Sequence, residues 1–285
     1  MSLDGTTANC DLEDYPARGN YPAAVTYSNG EVLACGGVDL EDADRCWSFN
    51  GSAWSALPNS KQKHCTADSP NVLVNDGWWV TGRLQDDDCT RLTSTNDVYN
   101  GSNSEVYTGT NWMPGPALPG DEYPGWSCVV NLNTTHTFLI GGGDPGRNDA
   151  WLYDWSSQAW TRTGSLIQGR SGHGCVNLGG GRILVAGGRN GGSDVYTVEL
   201  YDPAQGTWSS QPDLPHYLMY PLYPIFLNWD DQVLALFYDK DQIYQRSKEN
   251  GEWSVLDGVR LPTNLGGYYD KAVLVPENWS CNPEE

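Results

Sequence analysis

A short apolar strand that ends in glycine recurs along this chain, and the repetition constrains the fold more than any other feature. Four copies read EVLACGG (31–37), WWVTGR (78–83), TFLIGGG (137–143) and RILVAGG (182–188). A fifth copy, QVLALFY (232–238), lacks the glycines. The glycines at 36, 82, 141 and 187 are spaced by 46, 59 and 46 residues. One structural unit has therefore been repeated at a period of tens of residues.

Aromatic residues and further strands occur in a constant order around each copy. A short strand precedes it, in AAVTY, NVLV, SCVVNL, GCVNL and YPIFL. An aromatic strand follows it, in CWSF, EVYTG, WLYDW, ELYDP and QIYQR. A tryptophan then closes each unit, at Trp54, Trp112, Trp160, Trp208 and Trp253. Four strands in about 45 to 60 residues are typical of one propeller blade.

This order of glycine, tyrosine and tryptophan resembles the kelch repeat, and the resemblance covers residues 21 to about 275. It implies an all-β fold, a six-bladed kelch-type β-propeller that forms one domain over residues 1–285. Five blades are expected at about 21–58, 64–119, 123–166, 170–215 and 216–262. Residues 263–285 supply part of a sixth blade, and we expect residues 1–18 to complete it. The N- and C-terminal strands would then close the ring without exposed sheet edges.

The eight cysteines are spread over the chain without the CxxC pairs of a structural zinc site. Cys10 and Cys281 are predicted to latch the two ends together. Within blade one, Cys35 and Cys46 lie on consecutive strands and suit a hairpin disulfide. Cys65 and Cys89 are a third candidate pair. Cys128 and Cys175 hold matching positions in adjacent blades, where either a disulfide or two buried thiols would fit.

The cysteines and four glycosylation sequons together favour an extracellular glycoprotein with disulfide bonds. The sequons are at Asn50, Asn100, Asn133 and Asn278. The first residues, MSLDGTTANC, contain no apolar signal segment, so we expect the mature form of an exported protein. No apolar run is long enough for membrane insertion. We expect a monomer.

The chain is strongly acidic, since 16 lysines and arginines stand against 36 aspartates and glutamates, a formal net charge of −20. Such a charge repels nucleic acid and favours a basic partner. The loops after the second and fourth strands of a blade emerge on one face, and the charged residues collect there. The candidate binding residues are Asp42, Asp44, Asp86, Asp87, Asp88, Arg147, Arg189, Asp239 and Asp241.

We expect other polar residues on these loops to form turns or to contact a small ligand. Asp149 and Asp194 are expected to bond their own backbone in turns. Arg170 and Arg147, with Asp121 and Glu122, could surround a small ligand. The carboxylates would suit calcium, although EF-hand spacing is absent, and no other metal or cofactor is predicted.

A binding module for a protein or glycan partner is therefore the favoured function, and exposed tryptophans would serve a glycan-binding version. An enzyme is the alternative. The segments PHYLMYPLYPIFLNWDDQVLALF and GGYYDKAVLVP are similar to the kelch domain of galactose and glyoxal oxidases. In those oxidases, a Tyr-His pair and a further histidine bind copper beside a Tyr-Cys crosslink.

The copper ligand set of those oxidases is incomplete in this chain. The matching dipeptide is Tyr268-Tyr269, which lacks the histidine. Copper(II) prefers imidazole ligands, and only His64, His173 and His216 lie near strand entries. No G-x-S-x-G, HExxH or phosphate-loop motif is present. A carbohydrate-active or oxidase-like enzyme is thus less favoured than a binding module.

Overall fold

Five four-stranded antiparallel sheets make up the described part of this protein. The computed structural model describes residues 16, 23–26, 30–36, 44–61, 71–74, 77–81, 104–119, 126–143, 145–215, 224–229, 232–237 and 242–260. The first three sheets contain β1 (Ala23–Thr26), β2 (Val32–Cys35), β3 (Cys46–Phe49), β4 (Trp54–Leu57), β5 (Asn71–Val74), β6 (Gly77–Thr81), β7 (Ser104–Tyr107), β8 (Trp112–Pro114), β9 (Cys128–Asn131), β10 (His136–Ile140), β11 (Ala150–Asp154) and β12 (Ala159–Arg162).

The remaining two sheets and a small hairpin complete the described strands. They are β13 (Gly174–Asn177), β14 (Ile183–Ala186), β15 (Arg189–Asn190), β16 (Ser193–Asp194), β17 (Val198–Asp202), β18 (Thr207–Gln211), β19 (Ile225–Trp229), β20 (Gln232–Leu236), β21 (Gln242–Arg246) and β22 (Trp253–Arg260). Neighbours in sequence are neighbours in each sheet. The hairpin β15–β16 lies within the loop between β14 and β17 and turns at two glycines with positive φ.

The five sheets are arranged radially. Their first strands, β1, β5, β9, β13 and β19, lie side by side in chain order. Each sheet is therefore one blade of a β-propeller, as the repeat predicts. The described residues account for five blades rather than the predicted six. The sixth blade falls on residues 263–285 and 1–18, of which the structure describes Pro16 alone, so six blades and closure by the termini remain predictions.

The order of residue types that recurs from blade to blade is explained by packing. The second strand is the most apolar strand of blade four, and all four of its residues, Ile183–Ala186, are fully buried. Tyr201 and Trp208 of blade four contact Phe138 of blade three, with ring centroids 4.9 and 6.4 Å apart. The tyrosine and tryptophan thus fill the wedge between blades, as expected. Gly187 follows this strand with φ of 75°, which favours glycine.

In blades two, three and four the closing tryptophan also tethers the blade to the preceding one, whereas the indole N–H of Trp253 in blade five has no partner among the described residues. Each tethering indole N–H donates to a backbone carbonyl in the segment that leaves the previous blade. The bonds are Trp112 to Pro58 (2.9 Å), Trp160 to Ala117 (2.7 Å) and Trp208 to Gly164 (2.8 Å). The wedge therefore combines burial of a large ring with a directional bond.

A row of asparagines links the first strands of successive blades. Asn131 donates its side-chain amide to the carbonyl of Leu73. Asn177 donates to Asn131 at 2.6 Å and Leu132 at 3.0 Å, and Asn228 donates to Asn177 at 3.0 Å. Each of these carbonyls belongs to the preceding blade, so each asparagine amide bonds one blade to the next.

Two disulfides lie within the described residues. Cys35 and Cys46 bridge adjacent strands of blade one, the predicted hairpin pair. Cys128 and Cys175 are also bonded, with Cα atoms 6.1 Å apart, which joins the first strands of blades three and four. The alternative of two buried thiols is thereby excluded for this pair. Cys10, Cys65, Cys89 and Cys281 lie outside the described residues.

The asparagine row is expected to contribute to stability. Asn177→Leu would leave two carbonyls without their donor and should lower the free energy of unfolding by about 1 to 3 kcal/mol. Denaturant unfolding would measure this. Asn111→Leu is the matched control, because the side chain of this exposed asparagine bonds only the adjacent Thr110 within the described part of the chain. Equal stability of the two variants would contradict the role of the row.

Candidate functional site

The upper face of the propeller is formed by the loops that follow the second and fourth strands of each blade. In blades three and four its described residues are 141–143, 145–149, 163–173 and 187–197. The segment 163–173 joins the two blades and bonds both neighbouring loops. Arg170 exchanges backbone bonds with Gly142 and Arg147 on one side, at 2.9 and 3.0 Å. Ser171 and Arg189 exchange two backbone bonds of 2.9 Å on the other.

Glycines allow these three loops to touch through their backbones. A Cβ on Gly146 would lie 2.6 Å from Cα of Arg170, and one on Gly188 would lie 2.6 Å from the carbonyl oxygen of Ser171. Both distances are far below van der Waals contact, so any side chain would push the loops apart. The three segments therefore form one tightly packed unit of the upper face.

A buried ion pair holds the centre of this unit. The guanidinium of Arg170 donates to the carboxylate of Glu199 at 2.7 Å, and their side chains are 0% and 2% exposed. Arg170 also donates to the carbonyls of Gly187 (3.0 Å) and Thr197 (2.7 Å). Burial lowers the pKa of Arg170, and Glu199 opposes this shift. The pair is bonded well enough to offset much of its desolvation cost.

Glu199 also fixes the loop above it. Its two carboxylate oxygens accept the backbone N–H groups of Ile167 at 2.7 Å and Gln168 at 3.1 Å. Leu166, one residue earlier, is buried and donates its N–H to the carbonyl of Asn148. The side chain of Ile167 nevertheless points to solvent and is 60% exposed. The loop therefore presents an apolar side chain from a fixed backbone.

Two of the roles assigned to loop residues are wrong. Arg170 was expected to face a small ligand. It is instead fully buried, and its guanidinium pairs with the carboxylate of Glu199. Asp149 was expected to bond its own backbone. It instead accepts from Arg147 at 3.2 Å and from Arg162, because the last strand of blade three brings Arg162 beside it.

The candidate binding residues divide between described and undescribed parts of the chain. Arg147 is 44% exposed, and Arg189 is half-buried on the hairpin strand β15. The loop 163–173 brings these two arginines into one unit. Asp44 lies apart in blade one, where its carboxylate accepts from Asn59 at 3.4 Å. Outside the described residues are Asp42, Asp86, Asp87, Asp88, Asp239 and Asp241, whose binding roles remain predictions.

Sequence reasoning did not select Ile167 or Arg162, which is 55% exposed. The signal for Ile167 was present, because GSLIQGRS places an isolated apolar pair within an otherwise polar loop. Of that pair, Leu166 turns inward and Ile167 outward. Only the fold decides which of the two is exposed.

His173 is a buried neutral imidazole. Burial, together with the positive charge of Arg170, lowers its pKa well below the ordinary value. Neither ring nitrogen has a hydrogen-bond partner within the described residues. The positive charge of Arg170 that lowers this pKa would also repel a metal cation bound at the ring. His64, His216 and Tyr268-Tyr269 lie outside the described residues.

Metal-binding clusters and membrane-spanning helices are both absent from the described residues. No three histidine, cysteine, aspartate or glutamate side chains come together there in a way that could hold a metal ion. Nor do those residues include a helix with the length and apolar character needed to cross a membrane.

The radial sheets, the aromatic wedges and the loop unit of the upper face define a β-propeller. A family model for the Kelch motif matches residues 169–215, which include the whole of blade four. The chain is a kelch-repeat β-propeller, as the sequence pattern predicts.

Several known proteins are similar to parts of the chain. Kelch-like protein 35 from Homo sapiens is 29% identical over 104 residues, covering 36% of this chain and 17% of that protein. Kelch-like protein 6 from Homo sapiens is 35% identical over 89 residues, covering 31% and 14%. Galactose oxidase from Gibberella zeae is 24% identical over 219 residues, covering 74% and 30%. The matches thus span less than a third of each relative.

The buried ion pair leads to a stability prediction. Glu199→Gln leaves the charge of Arg170 buried without its counter-ion and should cost about 3 to 5 kcal/mol. The double variant Arg170→Met with Glu199→Gln should recover part of this loss. Arg162→Ala, which breaks the exposed pair with Asp149, should cost less than about 1 kcal/mol. Chemical denaturation of the four proteins would test the assignment, which fails if Glu199→Gln costs no more than Arg162→Ala.

His173 makes stability depend on pH. Its pKa is lowered in the folded state, so below about pH 6.5 the unfolded chain binds the extra proton. Its contribution is therefore complete above that pH and is lost on acidification, with a slope approaching about 1.4 kcal/mol per pH unit. His173→Gln should flatten the stability profile between about pH 7 and pH 5.

Urea unfolding across this pH range is the measurement, and His136→Gln is the matched control for loss of one imidazole. If the profile of His173→Gln stays parallel to that of the unaltered protein, the buried imidazole does not set the slope.

Proposed function

We propose that this propeller is an exported protein-interaction module that binds a protein partner through its upper face. The observation that carries the proposal is Ile167, a large apolar side chain that is 60% exposed on a loop whose backbone is bonded to the buried Glu199. Kelch-like protein 35 and Kelch-like protein 6 are relatives in the same repeat class, and such repeats serve as protein-interaction modules. Their similarity supports a protein partner.

The fixed backbone around Ile167 favours binding energetically. A flexible loop must be ordered when a partner binds, and that cost reduces affinity. Here the hydrogen bonds from Ile167 and Gln168 to Glu199 already hold the loop in place. Burial of the Ile167 side chain against a partner would therefore add affinity without a large ordering cost. It would act as the apolar anchor of the interface.

Arginines supply the polar surroundings of this anchor. Arg147 and Arg162 both bond Asp149, so the two guanidinium groups are positioned close to the loop that carries Ile167. Arginine is enriched at interface centres because its planar group forms several hydrogen bonds at once. We propose that these two residues bond carbonyl or carboxylate groups of the partner around the apolar anchor.

A basic region on the partner remains part of the proposal. The chain carries a net charge of −20, which attracts cationic surfaces over long range. Asp42, Asp86, Asp87, Asp88, Asp239 and Asp241 belong to the predicted acidic part of the upper face. Association would then slow as salt is added. Calcium at these carboxylates is an untested alternative use of the same groups.

Export is supported by the two disulfides of the described residues, because such bonds persist in oxidising compartments. We therefore propose an extracellular location. We also propose that the protein is a monomer.

An oxidase-like enzyme is the second candidate. It is favoured by the similarity to galactose oxidase, which extends over 74% of this chain. The positive charge of Arg170, which acts on His173, and the Tyr268-Tyr269 dipeptide weigh against it. Metal analysis of the purified protein would separate the candidates, because stoichiometric copper with oxidase activity supports only the enzyme. A glycan-binding module remains the third, to be tested on a glycan array.

Ile167→Glu should weaken partner binding strongly. A charged side chain at the apolar centre of an interface is expected to cost roughly 2 kcal/mol or more, about a thirtyfold loss of affinity. The measurement is surface plasmon resonance against an arrayed panel of purified extracellular proteins. Met113→Glu is the matched control, because Met113 is 53% exposed on the outer strand β8 and not on the upper face. A partner that binds both variants equally would place the interface elsewhere.

A further inference from the structure

Two sequons lie within the described residues, and both are on the face opposite the upper face. Asn50 begins the loop between β3 and β4 of blade one. Asn133 lies in the loop between β9 and β10 of blade three. Because strand direction alternates within a blade, loops after the first and third strands emerge together. We call this side the lower face.

The two asparagines have the same local geometry. The Oδ1 atom of Asn50 accepts from the N–H and hydroxyl of Ser52, at 3.0 and 2.9 Å, and from the N–H of Ala53 at 3.0 Å. The Oδ1 atom of Asn133 accepts from the N–H and hydroxyl of Thr135, at 2.9 and 3.0 Å, and from the N–H of His136 at 2.9 Å. Each amide oxygen therefore accepts hydrogen bonds from the backbone and hydroxyl groups of its own loop.

The amide nitrogen of each asparagine is left at the surface. Both residues are exposed, and neither Nδ2 atom donates to another group within the described residues. The sequon hydroxyl at Ser52 or Thr135 instead holds the carboxamide oxygen, which fixes the direction in which the nitrogen points. Two separate loops of different blades therefore present the same reactive group in the same manner.

The turn itself does not require an asparagine. Asp154 and Asp202 occupy the position of Asn50 in blades three and four, one residue after the wedge tyrosine. Their carboxylates accept the N–H groups of Ser156 and Ala204, both at 2.8 Å. An acceptor oxygen is thus sufficient to form this loop. The turn therefore does not need the Nδ2 atom of Asn50, which is free to react.

We propose that Asn50 and Asn133 are acceptors for N-linked glycans, so that glycans cover the lower face and the upper face is left for the partner. This inference rests on the proposed export. In the transfer, Nδ2 displaces a lipid-linked diphosphate from the anomeric carbon of an oligosaccharide donor. A C–N bond forms as the C–O bond to the diphosphate breaks. The diphosphate leaves with the electron pair, and a base of the transferase takes one proton from nitrogen.

The consequence for binding is steric. A branched, hydrated glycan sweeps a volume far larger than the loop that carries it, and it would exclude a protein from nearby surface. With acceptors on blades one and three, the lower face would be shielded on both sides of blade two. The apolar Ile167 on the upper face would stay accessible.

The test is site occupancy after expression in eukaryotic cells behind a secretion signal. Peptide mapping after enzymatic deglycosylation in heavy-oxygen water reports each asparagine separately, including Asn100 and Asn278. Asn50→Asp and Asn133→Asp retain the acceptor oxygen of the turn and should each remove one glycan with an unchanged melting temperature. Ser52→Ala and Thr135→Ala should remove the same glycans while keeping the asparagine.

Blade five supplies the matched control. Asn250 forms a similar turn in the corresponding loop and accepts the N–H of Glu252 at 3.1 Å, but it lacks a hydroxyl residue at that position. It should carry no glycan, and Glu252→Thr should create a new site there. Glycan at Asn250 in Glu252→Thr with none at Asn50 or Asn133, or with only one of them occupied, would overturn the proposal.

Partner binding is measured independently on unglycosylated protein from bacteria, so failure of the proposed function would be distinguished from failure of the glycan sites. If the unglycosylated protein shows no binding that depends on Ile167, the proposed function of the upper face fails and the glycan proposal is unaffected. Absence of glycan at Asn50 and Asn133 concerns the lower face alone.

Discussion

The carboxylate of Glu199 is a buried charge, and the shape of the upper face in blades three and four depends on how it is satisfied. It accepts from Arg170, Ile167 and Gln168. An unpaired charge at this depth would cost several kcal/mol, so the loop that carries these donors has one strongly favoured position. Glu105 holds the matching position in blade two, two residues before the wedge tyrosine, and is also buried. The repeat thus uses a buried glutamate more than once.

Four kinds of interaction join the blades, and they lie at different distances from the propeller axis. The asparagine row and the Cys128–Cys175 disulfide connect the innermost strands. The aromatic wedge fills the space between sheets, and the indole N–H groups bond the outer segments. Strand residues make most of these contacts, which leaves much of the loop surface for other roles. Recognition is accordingly expected on the loops and not on the strands.

The two faces of the propeller carry different chemistry. The described part of the upper face combines an exposed apolar side chain with two arginines, although the sequence suggested an acidic surface there. The acidic residues that prompted this prediction fall outside the described residues, apart from Asp44. The lower face carries two exposed sequon asparagines. The proposed division, with one face for a partner and the other for glycans, would suit an exported interaction module.

The sequence by itself determined the strand order, the glycine positions and the wedge residues Tyr201 and Trp208, because each follows from a local pattern that the repeat displays several times. It also indicated the Cys35–Cys46 bond, whose cysteines lie on adjacent strands. Only the tertiary structure decided that Arg170 is buried, that Asp149 pairs with Arg162, and that Ile167 rather than Leu166 is exposed. These outcomes depend on which loops of neighbouring blades meet. Arg170 and Glu199 are 29 residues apart, and no local pattern specifies the contact between them.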